Sequence, residues 1–146
     1  MGLDVTDTSI ASDKIEAYRA THFSVCMAGE AFTLMIDVPS VRLQELYLAT
    51  NTTTALFITA FNPFGQVQNE DANIAAHIAL GEQLRALSKD VYGGNGGDPD
   101  GAWPKEESYL VLGMEYETAV MLGEMFQQDA VVWAGSDAIP GLVLLR

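Results

Sequence analysis

The residues best suited to chemistry in this chain are amides and carboxylates that gather where an apolar run breaks off. Phe57-Ile58-Thr59-Ala60-Phe61 gives way abruptly to Asn62-Pro63-Phe64-Gly65, and Asn69, Glu70, Asp71 and Asn73 follow shortly after. A side-chain amide both donates and accepts, the chemistry needed to read a nucleobase edge, a sugar hydroxyl or a peptide group. Further along, Glu106-Glu107-Ser108 follows Trp103-Pro104 and leads into another apolar run. A carboxylate drawn into a partly buried position has its pKa raised and can work as a general acid or base. The candidate ligand-binding set is therefore Asn62, Pro63, Asn69, Asn73, Glu107 and Ser108. Each has a plainer reading beside it. Asparagine before proline starts turns, Asn69 has the position of a helix cap, and Glu107 could anchor a loop by accepting backbone N–H groups. Neighbouring strand residues point to opposite faces, so only one of Glu106 and Glu107 can face a given site.

No other chemistry-bearing residue is set in a specific motif. His77 has no His, Cys or paired acid at ligand spacing, and no metal site is expected. His22 is equally isolated, and His77 reads as a half-buried structural histidine. Cys26, beside Val25 and Met27, reads as a small packed hydrophobe. Ser24 and Ser108 lack the Gly-x-Ser-x-Gly setting of a nucleophile elbow. The run Gly93-Gly94-Asn95-Gly96-Gly97 lacks the Lys and Ser or Thr that complete a phosphate loop. Neither a cofactor nor a reaction can be named from these residues.

The elements that must position the candidates follow from periodicity and turn chemistry. Residues 1–11 are short and polar and read as a flexible terminus; residues 12–146 read as one globular domain. Ser12 opens a short helix as its cap. Phe23, Val25 and Met27 alternate as a half-buried strand, and Phe32 to Val38 pairs back on it as an N-terminal hairpin. Ser40 caps a second helix with Val41, Leu43, Leu46, Tyr47 and Leu48 on its apolar side, ending near Asn51. Thr52 to Phe61 is rich in β-branched and aromatic residues and reads as the middle of the sheet. Asn69 caps the next helix, with Ile74, Ile78, Leu80, Leu84 and Leu87 as its buried stripe. Residues 88–105 read as one long loop, a lid or a disordered segment. Ser108 to Leu112 is a strand, Glu115 to Gln127 a helix, and Ala130 to Trp133 a strand; Met114, Met121 and Met125 read as helix packing, not a binding stripe. Leu142 to Leu145 closes a C-terminal edge hairpin. Alternating strands and helices predict an α/β (mixed α+β) domain of two or three layers with a mixed, partly parallel sheet. In such sheets ligands settle at the carboxyl ends of strands, which is where Asn62 falls.

In order, Ile58-Thr59-Ala60-Phe61-Asn62-Pro63, Asn69, Trp103-Pro104, Glu106-Glu107-Ser108 and Phe126 to Trp133 form a recognisable series. It resembles the bacterial domain of unknown function 3293 family over nearly the whole chain from Tyr18 to Leu145. The Thr-Ala-Phe-Asn-Pro and Glu-Ser segments are its most distinctive parts. The resemblance implies a compact mixed α/β domain and no established activity. Phe61 stands where such sequences often carry tryptophan, and Gln128-Asp129 departs from a simpler glutamine-to-alanine spacing.

Composition narrows the function classes. A chain of 146 residues, 49% hydrophobic and 18% charged, has enough apolar surface for one core and is far from the balance that keeps chains disordered. A net charge of −13 repels phosphate backbones and anionic membranes, so neither nucleic acid nor membrane is an expected partner. No apolar run reaches the roughly 20 residues of a bilayer span, there is no signal-peptide pattern, and the single cysteine cannot form an internal disulfide, which together fit the cytoplasm. Two functions stand. The first is a pocket for a small polar ligand, nucleotide- or sugar-like, covered by the Gly-rich loop. The second is an acidic inhibitor, antitoxin or immunity protein docking on a basic partner.

Overall fold

The computed structural model describes residues 8–146. One seven-stranded sheet runs through it, built from β1 (His22–Met27), β2 (Glu30–Leu34), β3 (Ala55–Thr59), β4 (Val91–Gly97), β5 (Glu106–Leu112), β6 (Ala130–Ala134) and β7 (Gly141–Leu144). The spatial order is β2-β1-β4-β5-β3-β6-β7. The four α-helices are α1 (Ser12–Ala20), α2 (Val41–Thr50), α3 (Glu70–Leu87) and α4 (Tyr116–Met125).

Every pair of neighbouring strands is antiparallel, which corrects the expected partly parallel sheet. The reason lies in how the two crossovers interlock. With β3 antiparallel to β5 and β5 antiparallel to β4, β3 and β4 run the same way, joined through α3. Likewise β5 and β6 run the same way, joined through α4, because both are antiparallel to β3. Strand direction therefore follows the expected β-α-β crossovers. Each crossover, however, is split by a strand of the other, so parallel strands are never neighbours. β5, not β3, occupies the central position, with β3 beside it. The N-terminal hairpin pairs Phe23 with Leu34, and the C-terminal one pairs Ala130 with Leu144.

Alternation along the strands sorts the core onto two faces. Phe57, Leu110, Leu112 and Val132 pack with Leu43, Leu46 and Tyr47 of α2. Leu56, Ile58, Val111 and Val131 pack with Leu80 and Leu84 of α3 and Ala119 and Leu122 of α4. Helices thus cover both faces, and α1 joins the α2 side through Ile15, which packs with Ile10 and Leu144. Ile10 is buried there although residues up to 11 read as a flexible terminus; residues 1–7 of that segment lie outside the described residues.

Local signals are mostly obeyed. Ser40 Oγ accepts from the Leu43 N–H at 3.1 Å and Asn69 Oδ1 from the Ala72 N–H at 2.8 Å, the two expected helix caps. Asn51 ends α2 in the left-handed conformation that asparagine tolerates best after glycine. Ser12 is instead the first helical residue, preceded by Ala11 without a side-chain cap. The buried stripes are narrower than the apolar pattern implies. In α2, Val41 and Leu48 are exposed; in α3, Ile74, Ile78 and Leu87 are exposed while Asn73, Leu80, Gly81 and Leu84 are buried. Small residues set this rotation: Tyr109 Oη lies where a Cβ on Gly81 would come within 2.5 Å, so α3 presents its glycine to the sheet. Met121 and Met125 are exposed, Met114 is buried, and Cys26 is exposed because its strand face lies on the side opposite Phe23 and Val25.

The largest correction is the expected loop at 88–105. Residues 91–97 form β4, hydrogen-bonded between β1 and β5. Glycines are poor strand formers, but here close approach requires them. A Cβ on Gly94 would lie 2.3 Å from the Ser24 carbonyl oxygen and 3.2 Å from Phe57 Cε2. The rings of Phe23 and Phe57, edge-to-face with centroids 5.2 Å apart, fill the space that β4 leaves bare. Residues 88–90 and 98–105 remain as connections.

Candidate functional site

A cleft of about 580 Å³ opens on the α1 side of the sheet, at the edge where β3 and β4 end and β1, β5 and β6 begin. That volume suits a small organic ligand. In an antiparallel sheet such an edge mixes carboxyl and amino ends, so the carboxyl-end rule used to place Asn62 does not apply as stated. Phe23, Phe57, Gly96, Ser108 and Val132 form the sheet side of the cleft; Lys14, Ala17 and Tyr18 of α1 face them. Phe61, Asn62, Gln68 and Asn73 supply a third wall, and Trp103 and Pro104 a fourth. The Gly-rich run is therefore part of the cleft's floor through Gly96, and it is the following Trp103-Pro104 segment that borders the opening.

The polar corner is built around Asn62. Its Oδ1 accepts from the Gln68 N–H at 3.1 Å and from Asn73 Nδ2 at 3.0 Å, which fixes the amide's orientation. Its Nδ2 is thereby turned to donate to Glu106 Oε2 at 2.8 Å. Asn73 Oδ1 in turn accepts from the Asn62 N–H at 2.9 Å and from Gln68 Nε2 at 2.7 Å. Asn62 and Phe64 both hold positive φ, 49° and 54°, on either side of Pro63. That is a costly backbone for non-glycine residues, sustained only where the surroundings over-determine it. The surroundings here are the amide network, a 2.6 Å bond from the Phe64 N–H to the Gln127 carbonyl, and the Arg146 guanidinium 4.7 Å over the Phe64 ring.

Glu106 is the group that burial perturbs. Desolvation raises its pKa, opposed by the Asn62 hydrogen bond and by the positive charge of Lys14. Beneath the rim lies a second polar node at Asp129, a buried carboxylate paired with Lys14 and Arg146 and accepting from Tyr18 Oη at 3.1 Å. Burial alone would raise the Asp129 pKa, but the hydrogen bonds and charges of Lys14 and Arg146 outweigh it and hold the carboxyl below the usual range. Burial, with the Asp129 charge and hydrogen bond adding to it, pushes the Tyr18 phenol up. This node ties α1 and the C-terminal residue to the start of β6.

Of the residues singled out from sequence, Asn62, Asn73 and Ser108 line the cleft. Pro63, Asn69 and Glu107 do not: Pro63 shapes the turn, Asn69 caps α3, and Glu107 is exposed on the opposite sheet face, close enough to His77 for its charge to act there. Glu106 takes the place assigned to Glu107. Parity contains the signal that would have found it, because Glu106 and Ser108 share a strand face whereas Glu107 and Ser108 never can. Lys14 and Tyr18 belong to no local motif, and Trp103 and Gln128 stand in the family-like segments without a role that sequence assigns; tertiary structure brings all four to the cleft. Gln128 Nε2 donates to the Phe61 carbonyl at 3.1 Å. His77 is half-buried, its ring stacked 4.3 Å from that of Tyr109, and burial lowers its pKa.

The fold and cleft define a small mixed α+β domain with a split-crossover antiparallel sheet and a recessed carboxylate at one sheet edge. Residues 58–131 match the family described as "Protein of unknown function (DUF3293)", and the chain belongs to that family. The matched stretch holds the polar corner whole, from Asn62 to Glu106 and Gln128, but not α1. No curated protein and no solved structure matches the chain. Among the described residues no helix is long and apolar enough to cross a membrane, and no three His, Cys, Asp or Glu side chains cluster as a metal site.

Proposed function

We propose that this protein binds a small polar organic ligand, nucleotide- or sugar-like, in the cleft beside Glu106. The observation that carries the reading is a recessed carboxylate, held in place by an oriented amide, at the edge of a cleft walled by Phe23, Phe57, Phe61 and Trp103. Apolar walls with a few fixed polar groups are the usual make-up of ligand sites. Ser108 adds little reading capacity, since its hydroxyl is turned to the Glu106 carbonyl at 2.9 Å. The protein is read as bacterial and cytoplasmic, in keeping with an exposed free thiol at Cys26.

A thermal-shift screen against nucleosides, sugars and amino acids tests the reading, because a ligand that prefers the folded state raises Tm. A hit should be lost in Ala17→Phe, which fills the cleft from an exposed position on α1, and should change the fluorescence of Trp103. Shifts that survive Ala17→Phe would refute it.

The alternative, an acidic module docking on a basic partner, draws on one further observation. The ion pairs of Lys14, Arg19, Arg42 and Arg146 engage only Asp129, Asp37, Glu30 and Glu45 among the described residues, which leaves most of the 20 acidic side chains without a cation at ion-pair distance. Salt-sensitive capture of a basic protein by wild type and by Ala17→Phe alike would favour it over the cleft.

A further inference from the structure

Cleft-lining charges narrow the ligand further, on the reading that the cleft is a binding site. Lys14 is committed to Asp129 and to the Phe64 carbonyl, 3.3 Å away, and so offers no free charge to an anion. Lys105 is exposed at the rim, matched by an exposed Glu70 at the start of α3. Glu106 is different. Among the described residues no cation reaches it within ion-pair distance, and its one side-chain hydrogen bond, from Asn62, occupies a single acceptor position on Oε2. A carboxylate has about four acceptor sites. The remaining ones belong to a group partly removed from water, in a cleft that Phe23, Phe57, Phe61 and Trp103 also line. A carboxylate sharing a cleft with aromatic rings suits a flat partner carrying N–H donors, preferably a cation, which satisfies the oxygens with its edge and the rings with its face.

We propose that the ligand is a planar nitrogen base presenting an amidine-type edge, two adjacent N–H donors on one carbon, to Glu106. The edge bonds the carboxylate bidentately and the plane lies among Phe61, Trp103 and Tyr18. Within the nucleotide-like class this selects the base or nucleoside rather than its phosphates, because anionic ligands are disfavoured twice, by the unpaired carboxylate at short range and by the net charge of −13 at long range. Sugars offer hydroxyl donors and a C–H face on which rings can pack, but neither a positive charge nor two N–H donors on one carbon, and so answer the carboxylate only in part.

Benzamidine, benzamide and benzoate, matched in shape and differing in charge and donors, make the test by ligand-observed NMR at constant pH and salt. Benzamidine should bind at least tenfold more tightly than benzamide, and benzoate more weakly than either. Glu106→Gln should bring benzamidine down to the level of benzamide, while Glu107→Gln on the opposite sheet face changes nothing. The amide oxygen introduced by Glu106→Gln can still accept from Asn62, so the variant is expected to fold, which circular dichroism checks. Equal binding of benzamidine and benzamide, both lost in Ala17→Phe, would overturn this inference while leaving the cleft intact as a site. Binding of no probe, or binding indifferent to Ala17→Phe, would overturn the cleft reading and this inference with it.

Discussion

Replacing Gly94 by alanine puts the central structural surprise to a quantitative test. The new Cβ would lie 2.3 Å from the Ser24 carbonyl oxygen, a backbone atom of the neighbouring strand, where ordinary contact begins near 3.4 Å. Relief requires β1 and β4 to part by about 1 Å, which stretches flanking ladder bonds beyond useful hydrogen-bond length. Two weakened bonds at about 1 kcal/mol each, with an overpacking strain of about 1–3 kcal/mol, oppose a gain of roughly 0.4–1 kcal/mol from the stiffer unfolded chain. The net expectation is a loss of about 2–5 kcal/mol, or a fall in Tm of roughly 5–20 °C for a domain of this size. Gly96→Ala is the matched control two residues on. Its Cβ would meet nothing nearer than Phe23 Cδ1 at 3.6 Å, so its stability should stay within about 0.5 kcal/mol of wild type. Urea denaturation of the two variants, followed by circular dichroism, makes the comparison. Equal stability would mean that residues 91–97 are not clamped between β1 and β5, and that the loop suggested by composition is the better description.

Asn73→Ala leaves the Asn62 N–H and Asn62 Oδ1 each short of a partner in a part-buried corner, with an expected loss of about 1–3 kcal/mol in urea denaturation. Asp129 has a folded-state pKa below its unfolded value, so its contribution to stability is present above the unfolded value and lost as pH falls through the folded one. Asp129→Asn should therefore lower Tm at pH 7 and flatten its decline in acid, read from melts across pH 2–7. Glu106 carries the opposite sign: its raised pKa means that stability falls as pH rises from the unfolded value through the folded one. Ligand-free Glu106→Gln should then melt no lower than wild type at pH 7 and close the gap in acid, a stabilised site that has lost its ligand. Leu84→Ala, fully buried between α3 and the sheet, should cost about 2–5 kcal/mol by the same urea assay.

Some of this structure could be read directly from local chemistry. The caps at Ser40 and Asn69, the stop at Asn51, both terminal hairpins and the buried run Ala55–Ile58 follow from residues acting on their immediate neighbours. The turn at Asn62-Pro63 was legible for the same reason. β4 was not, because glycine has no preference to reveal; what makes it a strand is the Phe23 and Phe57 rings and the β1 carbonyls, none of them adjacent in sequence. In α2 and α3 the apolar residues outnumber the contact surface available, so the apolar pattern marks a wider buried face than the helices have, and Leu48 and Ile78 stand in water.

Strand pairing and the site share one explanation. Sequence order dictates that β3 and β4, and β5 and β6, run in the same direction, since a helix crosses between each pair. It cannot say that each pair is held apart by a strand of the other, because that depends on which long-range edge closes first and packs best. The same holds for the cleft: turn chemistry alone put Asn62 at a strand end, whereas the placing of Glu106 beside it, Lys14 and Tyr18 opposite, and Trp103 at the opening required the β3–β5 register and the docking of α1. Local propensity acts over a few residues, while burial, charge pairing and ring contact act across the folded chain, and it is these that select which carboxylate faces the cleft.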